Sequence, residues 1–221
     1  MHRFGFSLSL ECKKIFLSVM MIFSTNSHAH NIPIVTIDSA LQEILHQKTE
    51  EIQEEELFLA REIAEKLFCA LQPHFPAAGL AAPQIGISKS VFIFSFDRDP
   101  KNLEVVINPS FSPLEDLQIE GWEGCFSVML SNGIWKLAKV PRYEVIRVQY
   151  RNLKWELVEK TLDGFAAKVF QHECDHLQGI TNIERKDALV RAFDTKEEML
   201  LFMSQVKKED ALRYKKPSKL F

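Results

Sequence analysis

The sequence predicts an α+β fold in a single domain: antiparallel strands packed around a central helix that carries an H-E-x-x-H motif, plus a C-terminal helix. Three observations carry this. Short apolar runs of strand length are interspersed with longer stretches of helical period. Tyr143 to Tyr150 alternates in character (Val145, Arg147, Gln149 against Ile146, Val148, Tyr150), and Arg151-Asn152 can turn it into Leu153–Val158 as a hairpin. No repeat and no linker divides the chain. Its 221 residues are 46% hydrophobic and 26% charged, which excludes wholesale disorder. A net charge of -3 speaks against DNA binding, and four cysteines are too few for a disulfide scaffold. No apolar run reaches the roughly 18–20 residues of a membrane-spanning helix, so stable membrane insertion is not expected.

Residues 1–30 stand apart from the domain expected over 31–221. They hold scattered charge (His2, Arg3, Glu11, Lys13, Lys14), a short apolar stretch from Ile15 to Phe23, and Ser27-His28-Ala29. That order is the pattern of a secretory signal, and an N-terminal extension reads equally well. Glu11 is unusual for a signal, and Met20 and Met21 offer alternative starts. Ile32–Val35 is expected to be extended, with Asp38 or Ser39 capping a helix through Leu41, Ile44 and Leu45. A long helix over about residues 50–72 follows, with Ile52, Leu59, Ile63, Leu67, Ala70 and Leu71 near one face and Pro73 as its stop. Residues 76–88 are small, apolar and broken by Gly and Pro, a tightly packed loop. Val91–Phe96 and Val105–Ile107 read as buried strands, the second closed by Asn108-Pro109. Another short extended segment lies within 118–128. Gly164 to Gln178 is a helix with Phe165, Val169, His172 and His176 on related faces, and Gly179 suits its C-terminal end. A last helix runs from about Thr195 to Tyr214 into a Lys-rich tail.

The sharpest chemical signal is His172-Glu173-Cys174-Asp175-His176. Residues four apart share a helix face, so both imidazoles can reach one metal ion, and the adjoining Glu can reach its solvent ligand. A site needs a third protein ligand. Asn182 stands where one metalloprotease class places its third histidine and is a poor zinc ligand. Glu184, Glu197 and Glu198 are possible by spacing. Upstream, Glu123-Gly124-Cys125-Phe126-Ser127 holds a Gly-flanked cysteine whose thiolate would complete a Cys-His-His set and leave a fourth position open.

Three separated stretches together resemble the signature motifs of the peptide deformylases. Gly79-Leu80-Ala81-Ala82-Pro83-Gln84-Ile85-Gly86 is similar to the first, Glu123–Ser127 to the second, and Gln171-His172-Glu173-Cys174-Asp175-His176-Leu177 to the third. Their order and spacing match, over residues 31 to about 190. The resemblance implies hydrolysis of the N-formyl group from newly made formyl-methionyl polypeptides. It implies Cys125, His172 and His176 as ligands of one divalent metal, Fe(II) foremost, with Zn(II) or another ion possible. Glu173 would be the acid-base group, and Gln84 with the Phe126 backbone N–H would face the oxyanion. Gly79 would let a substrate peptide pair with the loop, and Phe165, Val169, His172 and Glu123 would line an apolar slot for methionine.

The chain departs from the pattern in several places. Ala77 replaces a glycine, Phe126 a leucine and Met129 a common proline. The Ser127–Pro141 stretch is longer than usual, and Asn132 stands near the position of a frequent arginine. The Pro-x-Leu-Arg pattern is degraded around Asp38–Leu41. These changes bear on reach and preference, since the metal and acid-base set is complete. A metal-binding thiol favours a reducing compartment, so the cytoplasm is expected, with export as the alternative if residues 1–29 act as a signal. Lys207, Lys208, Arg213, Lys215, Lys216 and Lys219 could touch ribosomal RNA or simply solvate a helix end. Two other functions use the same residues: a zinc endopeptidase with a later carboxylate ligand, and a non-catalytic binder of formyl peptides.

Overall fold

The apolar run from Val91 to Ser95 is continuous because both faces of the strand it forms are covered. In the computed structural model, which describes residues 32–214, it is the second strand of a five-stranded antiparallel sheet. That sheet has the order β1 (Gly79–Ala81), β2 (Val91–Ser95), β3 (Leu103–Pro113), β6 (Val145–Arg151) and β7 (Leu157–Asp163). A second, three-stranded antiparallel sheet has the order β4 (Gln118–Gly124), β5 (Trp135–Tyr143) and β8 (Leu189–Phe193). The helices are α1 (Leu57–Leu71), α2 (Gly164–Leu177) and α3 (Lys196–Tyr214). None of the described helices is long and apolar enough to cross a membrane. The signal-like segment at 1–30 and Lys215, Lys216 and Lys219 lie outside the described residues, as do the side chains of Lys207 and Arg213.

Alternate residues of β2 serve different cores. Phe92 and Phe94 meet Phe170 of α2 edge-on, with ring centroids 5.2 and 5.6 Å apart. Val91 and Ile93 join Ile63, Leu67 and Leu71 of α1 on the other face. The central helix α2 therefore lies on a sheet held from behind by α1. A smaller cluster of Leu137, Phe193 and Met199, flanked by Trp122 and Phe202, seats α3 on the three-stranded sheet.

Helix α2 and the C-terminal helix form where the sequence places them. The hairpin forms too, but residues 152–156 make its turn, so its second strand is Leu157–Asp163 rather than Leu153–Val158. Five further expectations need correction. The packed loop over 76–88 contains β1 and a 3-10 turn, Ala82–Ile85. Three residues are too few to carry an alternation, and the strand exists only because β2 pairs with it, Leu80 opposite Ile93. The helix expected from Asp38 is a 3-10 turn, Gln42–His46, with Leu45 as its one buried residue. The long helix is shorter, opening with a 3-10 turn at Glu54–Glu56 and reaching α geometry only at Leu57. Asn108-Pro109 does not end β3. Asn108 takes a φ of 49°, exchanges hydrogen bonds with both the N–H and the carbonyl of Ile52, and the register shifts before Ser110. A turn signal thus marks a bulge within a strand. Finally, β5 and β8 were not expected. β8 exposes Leu189 to Ala192 and shows no alternation, and β5 takes up the second half of the long Ser127–Pro141 stretch and runs on to Tyr143.

Gly179 ends α2 with a φ of 76°, and a Cβ there would lie 2.6 Å from the backbone carbon of His46. Gly179→Ala should destabilise the fold by roughly 1–3 kcal/mol, seen as a lower urea midpoint at unchanged slope.

Candidate metal centre and active site

Three elements deliver the chemistry. The C-terminal end of β4 places Cys125 in extended conformation, where it caps the 3-10 turn Phe126–Val128. One helical turn separates His172 from His176, so both rings leave α2 on one face. The Cys125 sulfur and one nitrogen from each ring lie within 4.8 Å of one another, and all three residues are buried. Cys125 Sγ is 3.2 Å from His176 Nε2. His172 Nδ1 is 2.9 Å from Glu123 Oε2, which fixes that ring and leaves Nε2 for the cluster. One thiolate and two imidazoles suit a divalent transition metal with a position left open, and the donor atoms present fit such an ion.

Glu173 lies beside the cluster with its Oε2 buried and without a hydrogen-bond partner. Burial pushes its carboxyl up to about 7, with repulsion from Glu123 and Asp175 adding to the effect and His172 opposing it. β1 passes directly against it: a Cβ on Gly79 would come within 2.4 Å of Glu173 Oε1. Gln84, from the 3-10 turn after β1, is also buried. Its Oε1 accepts from the Ala81 N–H at 2.8 Å, and Nε2 points at Ser127 Oγ (3.2 Å) and Cys125 Sγ (3.6 Å). Gln84 thus bonds loop backbone with one end and presents a donor to the site with the other. Phe126 is the first residue of its 3-10 turn, so its N–H has no acceptor within that turn.

The buried charges form one network. Arg142 of β5 donates to both oxygens of Glu123, each at 2.9 Å, and at 2.6 Å to Asp175 of α2. Burial alone would raise the Glu123 carboxyl, but the bonds from Arg142 and His172 hold it well below the usual range. Arg185 reaches Asp175 from outside at 3.1 Å. Asn182 donates to the Glu123 carbonyl at 3.1 Å. Sequence reasoning missed Arg142, Arg185 and the part played by Asn182, because no local spacing shows which guanidinium crosses from one sheet to the helix.

The remaining expected residues fall into two groups. Phe165 and Val169 lie on α2 ahead of His172, Phe165 partly exposed and Val169 buried. The Phe126 ring packs at a tilt against His74, 4.8 Å between centroids. Ala77 is buried with no positive φ, so the missing glycine costs it no backbone strain. The alternative third ligands do not converge: among the described residues the metal-capable cluster holds Cys125 and the two histidines, while Glu184 accepts from Thr181 and pairs with His46. In the long stretch after Ser127, the Ser131 N–H and hydroxyl both bond Asp38, which ties the loop tip to the N-terminal turn.

Removing Arg142 would leave Glu123 as an uncompensated buried charge. Arg142→Ala should cost about 3–5 kcal/mol in denaturant titration. It should also weaken divalent-cation binding about 10–100-fold in a competition assay, since the Glu123 carboxylate that orients His172 is no longer held.

Comparison with known proteins places this geometry. Residues 32–192 match the polypeptide deformylase family. Peptide deformylase 2 of Ralstonia nicotianae is 44% identical over 110 residues, 47% of this chain and 59% of that protein. A peptide deformylase of Thermotoga petrophila is 39% identical over 112 residues, 51% of this chain and 63% of that protein. The chain thus spans about six-tenths of the length of the curated relatives it matches. Among solved structures, a class I type b peptide deformylase from Acinetobacter baumannii bound to Met-Ala-Ser superposes with a TM-score of 0.61 at 30% identity, covering 70% of this chain and 98% of that one. The peptide deformylase of Thermotoga maritima gives 0.59 at 31% identity, covering 71% and 97%. With its motifs, fold and buried Cys-His-His cluster in agreement, the chain belongs to the polypeptide deformylase family.

Proposed function

We propose that this protein removes the N-formyl group from the first methionine of newly made polypeptides, releasing formate and a free amino terminus. One observation carries the reading: Cys125, His172 and His176 converge in a buried site beside the Glu173 carboxyl and the Gln84 amide. Cys125, His172 and His176 would hold one divalent cation, Fe(II) in a reducing cell with zinc as an alternative occupant. Bound there, the cation supplies a Lewis acid for the formyl oxygen and lowers the pKa of water.

The chain's own groups do the rest. Glu173, its carboxyl balanced near neutrality, takes a proton from the attacking water and returns it to the departing amine. The Gln84 Nε2 and the Phe126 N–H donate to the carbonyl oxygen as it gains charge. Gln84 is already fixed at its other end by Ala81, so little reorganisation is needed. β1 is the edge strand of its sheet, and Gly79 lets a peptide pair with that edge close to Glu173. Phe165, Val169, His172 and Glu123 then border the first side chain. Met-Ala-Ser, held by the Acinetobacter relative, has the form of the deformylated product such a site would release. The cytoplasm suits both the substrate and a metal-binding thiol, and the basic residues Lys207, Lys208, Arg213, Lys215, Lys216 and Lys219 would supply any contact with the ribosome.

Anaerobic loading with Fe(II) and a formate-coupled assay on a formyl-Met peptide test the reading. Glu173→Gln should keep its metal and lose about 10²–10⁴-fold in kcat. Cys125→Ala should lose the metal itself. Retention of full metal by Cys125→Ala, together with cleavage of internal peptide bonds, would instead establish a peptidase.

A further inference from the structure

The slot expected to take the first side chain runs along α2, bordered by Phe165, Val169, His172 and Glu123. Lys168 stands among these residues, three after Phe165 and four before His172, so it leaves the helix on their stripe. Opposite, alternate residues of β4 share a face. Glu123 faces α2, as its 2.9 Å contact with His172 Nδ1 requires. Gly121, two residues earlier, therefore faces α2 as well, one helical turn away from the metal ligands. There the lysine fills the place of the missing side chain: a Cβ on Gly121 would come within 2.6 Å of Lys168 Nζ. Nζ donates to the Trp122 carbonyl at 2.8 Å, and the side chain is half-buried. A second cation stands at the Phe165 end, where the Arg98 guanidinium lies 4.7 Å from the ring centroid and donates to the Pro76 carbonyl. The border of the slot is thus less apolar than a thioether alone would favour.

Resting on the deformylase reading of the site, we propose that Lys168 is a specificity-determining residue. Its ammonium lines the side-chain slot and admits, alongside methionine, first residues that carry a hydrogen-bond acceptor, methionine sulfoxide foremost. The sulfoxide keeps the length of methionine and adds an oxygen at the sulfur. A thioether sulfur is only a weak acceptor, whereas an ammonium has three donors. Norleucine, with a methylene in place of the sulfur, offers the ammonium nothing.

The experiment compares wild type, Lys168→Met and Gly121→Ala, all metal-loaded. The substrates are formyl-Met-Ala-Ser, its norleucine analogue and its methionine-sulfoxide analogue. In Lys168→Met the sulfoxide-to-norleucine ratio of kcat/KM should fall about tenfold, the size of one charge-assisted hydrogen bond. Gly121→Ala, whose new Cβ displaces the ammonium, should move the ratio in the same direction. An unchanged ratio in both variants overturns the proposal and leaves Lys168 as a tie between α2 and β4. If Lys168→Met fails to fold, Gly121→Ala decides alone. Calorimetric binding of Met-Ala-Ser and its sulfoxide to the same proteins reads the preference without turnover. A chain that releases no formate but keeps the sulfoxide preference in binding loses the deformylase reading and retains the slot assignment.

Discussion

A buried carboxylate cannot stay charged without compensation, and Glu123 meets that demand by binding three elements at once. From β4 it accepts both bonds of the Arg142 fork on β5 and one from His172 on α2, while Asn182 holds its backbone carbonyl. The distance between the small sheet and the central helix is therefore set by hydrogen-bond geometry, which is directional, rather than by apolar packing, which is not. Cys125 follows Glu123 by two residues, and its approach to His176 is a consequence of the clamp. Arg142 carries the clamp onward to Asp175 on the same helix. A polar network of this kind adds little net stability, but it determines where the sulfur stands relative to the rings.

The apolar cores supply a platform for that arrangement. Phe170 wedges between Phe92 and Phe94, so α2 cannot roll on the five-stranded sheet without disturbing aromatic contacts. Because the same helix carries His172, Glu173 and His176, the two rings and the carboxyl move as one body. The edge strand β1 is fixed against Glu173 through Gly79, and the turn after β1 brings Gln84 to Cys125. One short stretch of chain around β1 thereby places Gly79 against the Glu173 carboxyl and the Gln84 amide beside Cys125.

Much of this was legible in the sequence because it depends on local spacing. The pair His172 and His176 is a statement about helical period, and Gly179 about a left-handed C-terminal residue, which its φ of 76° matches. The alternation from Tyr143 to Tyr150 and the apolar run at β2 read directly as strands. Other parts depend on partners distant in the chain. β1 and β8 are strands because of what pairs with them, and neither has a pattern of its own. Asn108 looked like a strand end because its side chain and positive φ suit turns, yet its bonds to Ile52 hold a bulge inside β3. Arg142 and Lys168 were missed for the same reason: each takes its role from a residue across a sheet-to-helix gap, and single-residue chemistry does not reveal which gap is crossed.

X-ray absorption on the protein reconstituted anaerobically with one equivalent of zinc tests the central geometry most directly. One sulfur at about 2.3 Å together with two imidazole nitrogens at about 2.0–2.1 Å is the shell that Cys125, His172 and His176 would impose. A shell of nitrogen and oxygen alone, without sulfur, would show that β4 does not deliver its thiolate to the helix and would contradict the account.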